Sequence, residues 1–338
     1  MRDDPQPFQY RVGDTLTLRS HYPPPPVPKG ELQRRASIEK WKESSSPVEL
    51  CIRNPPLAGL NGSDLIDIRL MDELHVGDDK TAQLFVARSI KSPQSLGLPE
   101  NEDMVAKIYD PLYHDFAGFP FVAVDYEYTH ETAVYTHLSD LQGSVIPRYF
   151  GSFSLKIKVG RRFRMVRLIL IEHIDGVPMD SMDPKTLPTE KRQEILKHII
   201  NVESSIYTKD VIHGDLHPRN VIVINHEDPR TLRVVFIDFG RSVIGRSRNP
   251  QDPKEEQRFL PGTAISRLLR WTEQYNRPDC FFEWIDWPWQ PWLDDQYKGT
   301  EATITQEQRD LFPVFDSEED RGSSVFYPSE DEESLPDP

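Results

Sequence analysis

From residue 48 onward the chain alternates short apolar runs with polar breaks, and two periods can be read in it. "DLIDIRLMDEL" (64–74) and "AQLFVARSI" (82–90) are strand-like runs on either side of "HVGDDKT", which predicts a hairpin. "DMVAKIYD" (103–110) is a third strand after a loop rich in Pro, Ser and Gly. "VDYEYTHETAVYTHLSDL" (124–141) is helical in period, with Ala133, Val134, Leu138 and Leu141 available for a buried stripe. "VIPRYFGSFSLKI" and "FRMVRLILIEHI" predict two further strands.

Beyond "DGVPMDSMDPKTLP" the period lengthens. Ile195, Leu196, Ile199, Ile200, Val202 and Ile206 recur at helical spacing, with Thr189 as a natural cap. Two short apolar segments follow, "VIHGDLHPRNVIV" and "RVVFIDFG", each carrying a polar loop. The order predicts an α+β chain of two lobes joined near Glu172 to Val177. The small antiparallel β lobe, with one helix, spans about 65–173, and a larger, mainly helical lobe spans about 178–310. The domain as a whole is expected over 48–315. The first 47 residues contain "HYPPPPVPKG" and "KESSSP" and read mostly as linker, polyproline II or disorder, with a short helix around Trp41.

Composition narrows the function classes. The formal net charge of -15 argues against wholesale binding to nucleic acid or anionic membranes. Part of it is local: from Asp316 onward nine residues are acidic and one is basic, which predicts a solvated, disordered tail over 316–338. Cys51 and Cys280 form neither a disulfide framework nor a zinc spacing. No apolar run is long enough to cross a bilayer, and the start "MRDDPQPFQY" lacks a signal-peptide core. A soluble, intracellular, cytoplasmic protein is expected.

The polar loops carry the candidate chemistry. Phosphoryl transfer from a nucleotide needs metal ligands, a cation on the phosphates and a carboxylate to orient the attacking hydroxyl. "HGDLHPRN" supplies Asp215 and, five positions later, Asn220. "FIDFG" supplies Asp238, followed by Gly240 where the backbone turns away. Asp215 suits the orienting role. Asn220 and Asp238 suit magnesium, which takes hard oxygen donors and keeps several waters.

These motifs resemble the protein-kinase-like superfamily, which includes aminoglycoside phosphotransferases and choline kinases, and the chain is similar to uncharacterised fungal kinase-like proteins. "HGDLHPRN" is similar to the family's catalytic loop and "IDFG" to its metal-binding motif. The resemblance covers roughly residues 65–245. It implies a bilobal kinase-like fold that uses ATP and Mg2+. It also implies that Lys107 of "MVAKIYD" contacts the phosphates and that Glu131 of "HETAVYTHL" pairs with it, with Glu127 one turn earlier as the rival. "LILIEHIDGVPM" resembles the adenine hinge, which implies backbone contacts from Glu172 and Ile174. Three departures stand out. Only Gly77 remains of the glycine-rich phosphate loop, Gly214 and His217 replace the usual arginine and lysine, and no "APE"-like segment follows Asp238. The substrate side therefore resembles the small-molecule kinases more than ordinary protein kinases.

Each residue also has a plainer reading. His213 serves as a loop brace, Asp215 and Asp238 as turn carboxylates, Lys107 as a strand lysine and Glu131 as part of a solvated helix face. "FFEWIDWPWQPW" reads as an aromatic cap on the helical lobe, with a substrate wall as the sharper alternative. The expected function is ATP-dependent transfer of a γ-phosphoryl group to a hydroxyl acceptor, a small molecule in preference to a protein Ser/Thr. The alternatives are a nucleotide-binding pseudokinase scaffold and, more remotely, a metallohydrolase using His213, Asp215 and His217.

Overall fold

The computed structural model describes residues 9–28, 46–115, 119–228, 230–245, 260–272 and 279–312. The helix expected around Trp41 and the acidic tail lie outside the described residues. The protein divides into two compact units, residues 1–174 with 239–241, and residues 175–238 with 242–338.

The first unit is built on six antiparallel strands: β1 (Thr15–Tyr22), β2 (Leu60–His75), β3 (Gln83–Lys91), β4 (Met104–Tyr109), β5 (Tyr149–Val159) and β6 (Arg162–Glu172). They pair in the order β1-β2-β3-β4-β6-β5, and β1 pairs back onto β5, so the sheet closes into a barrel. Alternate residues fill it: Leu18 from β1, Ile66, Ile68 and Leu70 from β2, Phe85 and Ala87 from β3, Met104, Ala106 and Ile108 from β4, and their counterparts on β5 and β6.

Strand β1 corrects the reading of residues 1–47 as linker, polyproline II or disorder. Leu16, Leu18 and Ser20 turn inward while Thr15, Thr17 and Arg19 face out, so the segment has period two. The polar inward Ser20 and the adjacent proline run hide that period. Pairing with β1 also removes the free edges that β2 and β5 would otherwise present.

Two helices belong to this unit where one was expected. The short α1 (Pro47–Arg53) is capped by Ser46. The long α2 (Pro120–His137) is buried almost all round, and the covered residues include Asp125, Tyr128, Thr129, Glu131 and Thr132. A helix without a solvent face needs partners for its polar groups. Leu57 N–H donates to Asp125 (3.1 Å) and Val27 N–H to Thr129 Oγ1 (3.2 Å). Tyr128 Oη meets His21 Nδ1 at 2.8 Å and Ser152 Oγ at 2.6 Å. Two of these partners, His21 and Val27, come from the N-terminal segment.

A second polar cluster ties down the same segment. Arg164 and Asp110 are buried and joined by two bonds of 2.6 and 2.8 Å, and Tyr10 donates to Asp110 at 2.5 Å.

The second unit carries α3 (Thr189–Thr208), a sheet of β7 (Val177–Pro178), β9 (Val221–Ile224) and β10 (Arg233–Phe236), and the pair β8 (Val211–Ile212) with β11 (Val243–Ile244). Three shorter helices follow: α4 (Arg267–Arg270), α5 (Trp289–Tyr297) and α6 (Gln306–Leu311). The apolar stripe on α3 is buried as its spacing predicts. Pro188 occupies its capping position, and Thr189 Oγ1 instead accepts from Arg192 (3.0 Å). The tryptophan-rich segment closes this unit's core. Phe281, Trp284, Trp289 and Trp292 are buried, Trp289 donates to Trp271 O (2.8 Å), and Arg192 donates to Trp284 O (2.9 Å).

Two measurements test the polar clusters. Arg164→Met leaves the Asp110 charge buried with fewer donors, and urea unfolding should show a loss of roughly 3–5 kcal/mol. Burial, reinforced by nearby Arg167, pushes the His21 imidazole from 6.5 down to about 4. The unfolded chain takes up a proton there below pH 6.5 and the folded one does not. Stability present above that pH should therefore be lost as pH falls toward 4. The decline between pH 7 and 5 should be shallower in His21→Gln.

Candidate functional site

Strand β4 is buried on both faces. Met104, Ala106 and Ile108 enter the barrel, which leaves Val105, Lys107 and Tyr109 on the opposite face. There Lys107 Nζ lies 2.6 Å from Glu131 Oε2 of α2, with both side chains almost wholly out of water. The solvated-face reading of Glu131 is thereby excluded. The rival, Glu127, is engaged elsewhere: it lies 3.8 Å from Arg241 and 3.4 Å from Thr81 Oγ1, and its side chain packs against Gly240.

Gly77 takes φ +124°, open to glycine, in the β2–β3 connection. Its N–H donates to Gln83 Oε1 (2.7 Å) and its carbonyl accepts from Gln83 Nε2 (2.9 Å). The amide expected to cap a phosphate is thus bound to a buried side chain. Glu172 ends β6; its N–H donates to Arg148 O (2.8 Å) and its carboxylate pairs with the Arg148 guanidinium (3.0 Å). Ile174 follows in irregular backbone, half-buried.

In the second unit the loop after β8 is held from within. His213 Nε2 donates to Ile237 O (3.0 Å), and Nδ1 accepts from the Asp215 N–H (3.3 Å). Burial lowers the His213 pKa, which suits a neutral ring with one donor and one acceptor. His213 is a brace. Gly214 turns the loop at φ +75°.

Asp215 is gripped from two sides. Its Oδ1 accepts from Arg219 (2.5 Å), and its Oδ2 and backbone carbonyl both accept from Asn220 Nδ2 (2.9 and 2.7 Å). Asn220 sits at the end of a 3-10 turn, Pro218–Asn220, and runs directly into β9. The β9–β10 register pairs Val221 with Phe236, and Ile237 N–H donates to Asn220 O (3.0 Å). That hairpin therefore brings Asn220 and Asp238 to the same end. Asp238 adopts φ +64°, a left-handed conformation that aspartate and asparagine tolerate better than most residues.

This donor set fits a hard divalent cation. Asn220 spends its amide nitrogen on Asp215, so only its Oδ1 could face a cation, and Asp238 could add a carboxylate. The zinc reading does not survive. Both ring nitrogens of His213 are committed to backbone, and His217 Nδ1 accepts from Arg219 N–H (3.3 Å). Among the described residues no group of three or more His, Cys, Asp or Glu could hold a metal.

Residues 143–249 match the ABC1 atypical kinase-like domain. The match supports a place in the protein-kinase-like superfamily. It reaches the superfamily expected from the motifs through a different family from the two named above. The kinase-like stretch contains Glu172, Asp215, Asn220 and Asp238, whereas Lys107 and Glu131 lie before it. No curated protein matches the chain. Among the described residues no helix is long and apolar enough to cross a membrane.

Sequence reasoning missed Gln83, Arg219 and Tyr109. Arg219 stood inside the quoted motif, four positions after Asp215. Tyr109 lies two after Lys107, on the same strand face. Nothing in the sequence marks Gln83 as the residue that closes the Gly77 turn.

The left-handed backbone at Asp238 can be tested directly. Asp238→Asn keeps the tolerance for positive φ, whereas alanine does not. Asp238→Ala should therefore unfold about 1 kcal/mol more easily than Asp238→Asn in urea titrations.

Proposed function

We propose that this kinase-like chain binds ATP with magnesium and transfers the γ-phosphoryl group to a hydroxyl acceptor, a small molecule in preference to a protein side chain. The observation that carries the reading is the double grip of Asn220 on Asp215 beside the β9–β10 hairpin. One side chain orients the catalytic carboxylate with its nitrogen and presents its oxygen to a cation.

In this reading Lys107, fixed by Glu131, contacts the nucleotide phosphates, and the backbone around Glu172 and Ile174 receives the base. Asn220 and Asp238 hold magnesium, which supplies positive charge to the phosphates when bound. Asp215 orients the acceptor hydroxyl. With Arg219 on Oδ1 and Asn220 on Oδ2, each carboxylate oxygen keeps one lone pair for an acceptor hydroxyl. That suffices in a loose phosphoryl-transfer transition state, where alignment outweighs proton removal. The closed Gly77 turn is the observation that favours the scaffold alternative, because it withdraws one backbone amide from phosphate binding.

Thermal shift with ATP, with and without magnesium, separates the readings. A metal-dependent rise in Tm that disappears in Asp238→Asn supports the assignment, and complete silence supports the scaffold. Asp215→Ala should keep ATP affinity near its original value while ATP turnover falls by on the order of 10²-fold. A wild-type rate that survives this substitution removes Asp215 from the catalytic role.

A further inference from the structure

The Lys107–Glu131 pair has a third member. Tyr109 is fully buried, and its hydroxyl donates to Glu131 Oε2, the same oxygen that receives Lys107 Nζ. Its ring lies 5.6 Å from Lys107 Nζ and stands edge-on to Tyr128 of α2, with centroids 5.4 Å apart. Lys107 and Tyr109 are two residues apart on β4, so the strand's pleat sends both to the same face. The covering helix then supplies one carboxylate oxygen to both of them.

We propose that Tyr109 is a positioning residue that fixes Glu131 and, through it, holds Lys107 charged and in place. A buried carboxylate keeps its charge only when hydrogen bonds replace lost water, and a hydroxyl on Oε2 does this without adding a competing cation. Lys107 is a flexible four-carbon chain with a mobile ammonium. An acceptor pinned by a rigid phenol gives that ammonium one direction. The aromatic ring alone would fill the same space, so the hydroxyl is the part that acts.

Removing the hydroxyl destabilises the Glu131 carboxylate, so the Lys107 proton passes to it more readily, leaving a carboxylic acid beside a neutral amine. The neutral, nucleophilic fraction of Lys107 must rise. Full-length protein without nucleotide is treated with an N-hydroxysuccinimide ester between pH 7 and 9, and acylation at Lys107 is followed by peptide mass spectrometry. Tyr109→Phe should accelerate it by at least about threefold. Tyr128→Phe also deletes a buried hydroxyl, the one bonded to His21 and Ser152, and should leave the Lys107 rate unchanged. An unchanged or slower rate in Tyr109→Phe overturns the proposal. Equal acceleration in both variants also overturns it, because general loosening would explain it. Should Tyr109→Phe not fold, 3-fluorotyrosine at the same position keeps the shape with a stronger donor, and acylation should slow.

The phosphate role of Lys107 belongs to the function proposed above, and this inference rests on it only for nucleotide affinity. If wild-type protein binds Mg-ATP, Tyr109→Phe should weaken that binding severalfold. If it does not, the functional reading fails while the acylation result still decides the role of Tyr109.

Discussion

A carboxylate and an ammonium taken out of water together are stable only where everything around them is fixed, and the Lys107–Glu131 pair imposes that condition on the first unit. Strand β4 has to be covered on both faces, by the barrel core on one and by α2 on the other. The helix carrying Glu131 cannot keep a wet side either, so its remaining polar residues find partners in the chain. Val27, Leu57, His21 and Ser152 answer Thr129, Asp125 and Tyr128. The N-terminal segment is therefore part of the cover over α2.

The second unit meets a different demand, for short-range precision in a loop. Its solution is local: a histidine bonded to backbone at both ring nitrogens, a glycine at positive φ and an asparagine that touches both the side chain and the carbonyl of Asp215. The hairpin β9–β10 then sets where Asp238 begins. Backbone held in a sparsely populated region is characteristic of residues whose placement matters more than their comfort. Asp238 fits that description.

How much of this could be read from the sequence follows from how local each signal is. The strands of residues 64–174 announced themselves because one face of each fills the barrel, which imposes period two on the apolar residues. The Lys107–Glu131 contact was implied by motif order alone. Strand β1 was obscured by its own polar inward residue and by the prolines beside it. The reading of α2 was incomplete for a physical reason. Val134 and Leu138 are buried as expected, but Ala133 and Leu141 are only partly so, and the helix is covered through tyrosines, threonines and acids that resemble a solvent face. Tyr109 and Gln83 escaped because their roles depend on which segments meet across the fold.

The ring closure of the barrel joins strands far apart in the first unit's sequence. Leu18 of β1 faces Leu155 of β5, while β2, β3, β4 and α2 all lie between them in sequence. During synthesis β1 can pair with β2 early, but its other edge must wait until β5 has been made. Contacts so distant along the chain are slow to form and leave strand edges open while they wait. Closing the ring is therefore a long-range step, and β1 belongs to the same segment whose His21 and Val27 cover α2. The cover over the helix that carries Glu131 thus draws on strands made far apart in the sequence.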